Sequence, residues 1–435
     1  MASEKLYPTY LRRKPPSPIF PSPTSHRITI PSPTMRLLPR PLAPGRLSPL
    51  RLSRQYSSGH TVQENDVLFL RQQGTNFPRW HLTAPLRPES RVRLAYGASV
   101  NASDLIGRSL LDVVPDSSGR DVVLHEPSMA TYILNSARQA TPIYPHDANT
   151  IVSLLDLNLP RPGEDGEDSN APPFEIFEAG TGMGSLTLHI ARALHAANPS
   201  TTPALRNSLC TAHYRPHDFG LDLTPEDQAA FNSYRASRRA VLHTLDRNPK
   251  HSRAAHKLIR QFRRSLYFPT IDFHVGSIDE YLSERLAQSG GTPFFSHAIL
   301  DLPSAHENAV PVIQALKPNG LLILFKPSIS QIGDFQTWMK RTDQPVRLER
   351  VIELPVSTTA DGVRDNGGGR EWDVKTVIPR GAEADAQPVQ VMRPKVGDRV
   401  VGGGFVALLR RYHAKASPEA EPVEEEVTPQ AIPDI

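Results

Sequence analysis

Cysteine is almost absent. Cys210 stands alone in 435 residues, which excludes an internal disulfide framework and any cysteine-rich zinc site. Long apolar runs are missing too: the longest, Leu321–Phe325, is far short of the roughly 20 residues a membrane helix needs. No membrane partner is therefore expected. Acids are scarce at the start, where residues 1–60 hold only Glu4 against ten Lys or Arg, with Ser and Pro throughout. What is abundant is proline, at 43 residues about twice ordinary usage, and the net charge of +4 leans toward a polyanionic partner.

A basic, Ser-rich, acid-poor beginning reads as an organellar transit peptide. Arg54, just ahead of Tyr56 and Ser57, resembles mitochondrial presequence cleavage sites. The mitochondrial matrix is thus the expected compartment, with the nucleus as alternative; a plain Pro/Ser/Arg tail is the competing reading of the same residues. Residues 61–140 carry short strand-like runs between breakers (Val67–Leu70, Val92–Leu94, Asp121–Leu124) and predict a small β-domain. Residues 141–413 alternate strand and helix patterns, the mark of a doubly wound α/β sheet. Seven strands are predicted: Glu175–Glu178, Val241–Leu245, Ile271–Val275, Ala298–Asp301, Leu321–Phe325, Arg350–Leu354 and Phe405–Arg410. Insertions are read at 160–173 and 198–238, a Gly-rich run at 362–369, and an acidic, disordered tail over 414–435.

The run Phe174–Thr187 reads as a strand, a glycine turn and a helix start. Glycines let the backbone turn sharply and approach a ligand, and the helix N-terminus adds amide donors. Such a loop also serves nicotinamide cofactors. Glu178, just before the first glycine, tips the reading toward S-adenosylmethionine, whose cationic amino-acid end a carboxylate can meet. Gly180, Thr181, Gly182, Gly184, Ser185 and Leu186 are the expected cofactor-binding loop positions. Asp246, after the second strand, is placed to grip the ribose hydroxyls or, alternatively, to cap the next helix. That helix is basic (Arg247, Lys250, Arg253, Lys257, Arg260, Arg263, Arg264), either a solvated face or a phosphate contact. His189 and His195 show no metal-ligand pattern, and Trp80, Trp338 and Trp372 read as core.

Further motifs are Tyr144-Pro145-His146-Asp147, Leu300-Asp301-Leu302-Pro303 and Pro327–Gln331. Together with the loop Glu178–Thr187 they resemble the catalytic-subunit family of tRNA (adenine-58-N1) methyltransferase, of a fungal or mitochondrial type. The resemblance covers residues 61–412 and implies a class I S-adenosylmethionine-dependent methyltransferase: a Rossmann-like seven-stranded sheet behind a small N-terminal β-domain. Three departures stand out. His146 replaces a lysine, Ser304-Ala305-His306 replaces an acid-Pro-Trp segment, and Val401–Phe405 lacks a His-Thr pair. Ser277, with Asp279 two residues on, sits where an acid normally meets the cofactor adenine.

The implied chemistry is methyl transfer to N1 of adenine 58, an in-line displacement needing no metal. The resemblance makes Asp301 the catalytic acceptor for the adenine N6 amine, which favours the cationic product. It lays Tyr144 against the base and lets Gln331 orient the pocket. It further implies tRNA as partner and a homotetramer, or a heterotetramer with a non-catalytic tRNA-binding subunit. Two other readings remain open at this point: a scaffold subunit without turnover, and a class I methyltransferase acting on another target such as protein carboxylates.

Overall fold

The computed structural model describes residues 60–74, 79–164, 172–216, 218–359, 372–378, 387–394 and 399–413. The expected transit segment through residue 59, the Gly-rich run 362–369 and the tail 414–435 lie outside the described residues, as does 165–171 of the first insertion.

Seven strands form the main sheet: β1 (Phe174–Ala179), β2 (Ala240–Asp246), β3 (Ile271–Val275), β4 (Phe295–Leu300), β5 (Leu316–Lys326), β6 (Val346–Thr359) and β7 (Arg399–Arg411). Their order is β3-β2-β1-β4-β5-β7-β6. The first five run parallel, and β7 is antiparallel to both β5 and β6. The central strands are buried along nearly their whole length because helices cover both sheet faces, and their polar members, among them Glu175, Glu178, His243 and Thr244, are buried with them. Every residue of β2 is buried.

Among the described residues, eight helices belong to this sheet: α1 (Pro145–Leu154), α2 (Ser185–Leu194), α3 (Pro203–Thr211), α4 (Pro225–Ala236), α5 (Pro249–Gln261), α6 (Ile278–Gln288), α7 (Ala309–Ala315) and α8 (Ile329–Arg341). Alternation along β1 shows how two cores arise. Ile176 packs with Ile151, Ile190, Leu209 and Ile259 of α1, α2, α3 and α5. Phe177, pointing the other way, packs with Leu282, Ile313 and Phe335 of α6, α7 and α8.

The insertion at 198–238 is an ordered part of this core. Thr202 and Thr224 each cap a helix that begins with proline, accepting from the amides of Leu205 and Asp227 at 3.2 Å. Ahead of the sheet, the segments Trp80–Leu82, Phe69–Gln72, Asp121–His125 and Val113–Pro115 form a four-stranded antiparallel sheet in that order. It has its own apolar cluster around Leu70, Leu86, Leu105 and Leu124. The Tyr132 hydroxyl donates to the Leu258 carbonyl at 2.7 Å, and Arg264 pairs with Asp66 at 3.1 Å, joining this module to α5 and the chain after it. Trp372 does not enter any core. It is 56% exposed on a hairpin (Trp372–Val377, Val389–Pro394), and the core reading is corrected there.

Candidate active site

Strand register decides which side chains can meet. Ala179 of β1 pairs with Leu245 of β2 on one side and Leu300 of β4 on the other. The residues that follow, Gly180, Asp246 and Asp301, therefore emerge at one level on the carboxyl edge, where open α/β sheets bind ligands. They line a cavity of about 620 Å³ together with Gly182, Gly276 and Asp279. That volume suits a cofactor-sized ligand.

The turn itself is built around close approach. Gly180 has φ +99°, and a Cβ there would lie 2.1 Å from the Asp301 carbonyl oxygen. The Gly182 amide donates to Asp246 Oδ2 at 2.9 Å, and the Asn248 amide donates to its other oxygen at 2.8 Å. Asp246 thus ties the glycine loop to the turn before α5, whose cap is Asn248 and not Asp246, while keeping a place on the cavity wall. Gly184 packs against α5, where a Cβ would come within 2.9 Å of Ala255 Cβ.

Several expected cofactor residues face inward instead. Glu178 is buried, and its Oε2 accepts from the hydroxyls of Thr187 (2.7 Å) and Thr244 (2.8 Å). Burial raises this carboxyl to about 8, with Asp301 and Asp246 adding to the rise. It braces the turn from within, held by these two hydroxyls and set back from the cavity wall on which a cationic amino-acid end was expected to meet it. Thr181 is buried and bonds to Thr244 at 2.7 Å. The Ser185 hydroxyl donates to the Ile143 carbonyl at 2.6 Å, and Leu186 lies in the core. These residues shape the loop from behind.

Ser277 heads α6 but is not on the cavity wall; Gly276, Ile278 and Asp279 are. An acid is thus present at this edge, two residues later than the aligned position. Tyr144 is half-buried at the start of α1. Its hydroxyl accepts from Arg138 at 3.1 Å, and that guanidinium lies 5.7 Å from the ring centroid. The linker lines the cavity through Ala140 and Thr141, and Tyr144 does not. Asp147 of the same motif is buried and accepts from the Gly403 amide, tying α1 to β7. Gln331 sits in the first turn of α8, off the cavity wall, with a buried Oε1 that has no hydrogen-bond partner among the described residues.

Three residues on or beside the wall were not anticipated. His251 of α5 approaches Asp246 at 3.4 Å. Glu307 follows a left-handed Ser304 (φ 44°) that turns the chain back, returning a carboxylate to the segment that lacks its usual acid. Lys326, at the end of β5, is only 3% exposed and its Nζ donates to the Leu302 carbonyl. Burial raises Asp301 to about 6; Lys326 opposes that rise and Asp246 adds to it. A short motif does not flag any of these, because each depends on a neighbouring strand or turn.

Asp246, Asp279, Asp301 and Glu307 outweigh the single Arg247 on the wall and make the cavity acidic on balance, the right sign for a sulfonium and an ammonium group. A second cavity of about 620 Å³ opens near the starts of β1 and β2, at the far edge of the sheet. Its charges are paired with one another, Arg238 with Asp272 and Arg285 with Glu175, both at 2.8 Å. It is a structural network away from the glycine loop. Among the described residues no cluster of His, Cys, Asp and Glu could hold a metal ion.

Sheet order, glycine turn and acidic cavity define the class I S-adenosylmethionine-dependent methyltransferase fold. A solved S-adenosylmethionine-dependent O-methyltransferase from Thermotoga maritima shares that fold, with a TM-score of 0.51 and 14% identity over 82% of this chain and 97% of that one. No protein-family model matches the chain. In sequence it is 26% identical over 266 residues to the tRNA (adenine(58)-N(1))-methyltransferase TrmI of Thermus thermophilus, and the same holds for the TrmI of a second strain of that organism. Each match covers 61% of this chain and 73% of the relative.

Proposed function

We propose that this chain methylates N1 of adenine 58 in tRNA. It is an S-adenosylmethionine-dependent methyltransferase. The observation that carries the reading is the convergence of the glycine turn, Asp246 and Asp301 at one carboxyl edge, in a chain 26% identical to TrmI over 266 residues.

When bound, S-adenosylmethionine would supply a methyl group on a sulfonium: the adenine N1 lone pair would bond to the methyl carbon as the carbon–sulfur bond breaks and S-adenosylhomocysteine leaves as a neutral thioether. The residues of this chain do the rest. Gly180, Gly182, Asp246 and Asp279, all on the cavity wall, would hold the cofactor: the two glycines would let backbone approach, Asp246 would accept from its ribose hydroxyls, and Asp279 would accept from its adenine. Asp301 accepts from the exocyclic N6 amine and stabilises the positive charge that grows on the ring. The target base must leave its stack to reach that carboxylate.

The test is labelled-methyl transfer by the full chain to unmodified tRNA transcripts carrying adenine or guanine at position 58. Transfer that requires the adenine supports the reading, and equal transfer to both transcripts overturns it.

Lys326 gives this chemistry a definite pH dependence. Asp301 works as a carboxylate, so kcat falls as pH drops through about 6 and the group protonates. Removing the cation in Lys326→Met lets burial push Asp301 higher, moving the acid limb of kcat about one unit toward alkaline pH. Lys326→Arg keeps the limb in place. A kcat profile from pH 5 to 9 that is identical in Lys326→Met and the native chain would contradict this.

The assembly expected from the resemblance draws support from the hairpin, where Trp372, Val374 and Met392 are 56%, 54% and 60% exposed. Exposed apolar side chains grouped on one hairpin are what a subunit interface would cover, which supports this reading. The chain works as a tetramer, which light scattering reads directly. The basic, acid-poor composition of residues 1–60 supports import into mitochondria. A diffuse signal from a fluorescent fusion of those residues would argue against import.

A further inference from the structure

Beside the acidic cavity runs a cleft of opposite sign. It lies between the N-terminal module and α5, and has a volume of about 510 Å³. From α5 it takes Lys250, Arg253 and Lys257 at i, i+3 and i+7, one helix face spanning about 10 Å. Opposite stand Thr83, Ser136 and Gln139. A second hollow of about 560 Å³ adjoins it, sharing Leu82, Ala84 and Gln261, and adds Arg87, Arg91 and Arg93. Among the described residues, no Asp or Glu lines either hollow, and none of the six cations is ion-paired. In a chain with 49 basic and 45 acidic residues, that segregation is a local feature of the fold.

The cleft and the transfer cavity share a wall. The strap from 135 to 141 gives Ser136 and Gln139 to the cleft, and Ala140 and Thr141 to the cavity. Helix α5 gives Lys250 and Arg253 to one and His251 to the other, and Met183 of the glycine turn closes the cleft at that end.

We infer that this cleft is a track for the phosphodiester backbone of the RNA strand leading to the target base. The inference rests on the reading that the substrate is RNA. The signs match the two ligands: a cationic cofactor on the acidic side of the strap, a polyanion on the basic side. Arg253 rests 5.9 Å from the Tyr214 ring centroid, and none of these cations has an ion-pair partner among the described residues; solvent-reachable Lys and Arg at helical spacing release counterions when phosphates bind, giving strong and salt-dependent affinity. Because phosphate contacts position without reading sequence, the track sets the approach of the strand and leaves choice of base to the cavity.

The test compares the full chain with a triple variant, Lys250→Ala/Arg253→Ala/Lys257→Ala, by fluorescence anisotropy with labelled tRNA transcript from 50 to 200 mM salt. A control triple, Lys317→Ala/Lys340→Ala/Arg341→Ala, removes the same charge elsewhere. The cleft triple should lose at least tenfold in affinity and flatten the salt slope by about 2 to 3. In the methyl-transfer assay it should raise KM for tRNA at least tenfold with kcat and cofactor binding unchanged. Equal losses in the control triple, or native affinity and slope in the cleft triple, would overturn the track. A polyglutamate peptide that displaces the tRNA at equal charge concentration would also overturn it, in favour of an acidic protein partner. The function can fail separately: native tRNA affinity lost in the cleft triple, without adenine-dependent transfer by the native chain, would keep the track and remove the assigned reaction.

Discussion

Asp301→Asn is expected to lower kcat about 10²- to 10³-fold with little change in KM for tRNA. Asparagine keeps the side chain's shape and removes its charge. The difference therefore measures electrostatic support for a product ring that becomes cationic, and removal of one such stabilising group has this order of effect. The position is set by main chain as well, since the Asp301 amide donates to the Ala179 carbonyl at 2.9 Å. That bond is independent of the side chain, so Asp301→Asn should fold and unfold in urea like the native protein. Its pH profile should also lose the acid limb near 6, because no carboxyl remains there to protonate. Single-turnover methyl transfer across pH 5 to 9 checks both points. A variant that keeps kcat within threefold of native would remove Asp301 from the chemistry.

Gly180→Ala is expected to be the most damaging single methyl addition in the turn, destabilising the protein by about 4 kcal/mol or more and abolishing cofactor binding. Two effects combine. The backbone at φ +99° disfavours any L side chain, and the new Cβ would sit 2.1 Å from the Asp301 carbonyl oxygen and 3.3 Å from Leu302 Cδ2. Relief requires separating β1 from β4 at the point where Asp301 is positioned. Gly182→Ala is the internal comparison. It also has positive φ, at +53°, but a Cβ there meets nothing within 4 Å, so the strain alone remains, about 1 to 2 kcal/mol. Urea unfolding of the two variants, with cofactor titration, should separate them clearly. Equal stabilities would mean that the close approach at Gly180 has no energetic consequence.

Much of this fold can be read from local pattern because its signals are local. The strand-glycine-helix run at Phe174–Thr187 carries its own periodicity and turn chemistry, and β2, β3 and β4 follow apolar runs of the same kind. The later strands are longer than their apolar cores suggest. β6 runs over Val346–Thr359 and β7 over Arg399–Arg411, because antiparallel pairing carries them beyond the buried edge, as where Val356 meets Gly402. The 198–238 insertion had readable helix starts in Thr202-Pro203 and Thr224-Pro225, yet only packing of Leu205, Leu209 and Tyr234 into the main core makes it part of the domain.

The site divides along the same line. Sequence alone determined the glycine turn, the acids after the second and fourth strands and the class of fold, since each follows from residues a few positions apart. Tertiary structure decided which groups face the ligand. Register across β2, β1 and β4 put Asp246 and Asp301 on one wall, burial turned Glu178 and Ser185 into braces, and a left-handed turn at Ser304 returned Glu307 to the cavity. Lys326 belongs to the same group, a lysine at a strand end whose partner, the Leu302 carbonyl, is 24 residues away. Pairwise contacts between distant segments fix side-chain direction and local dielectric, and neither quantity is encoded within a single run of residues.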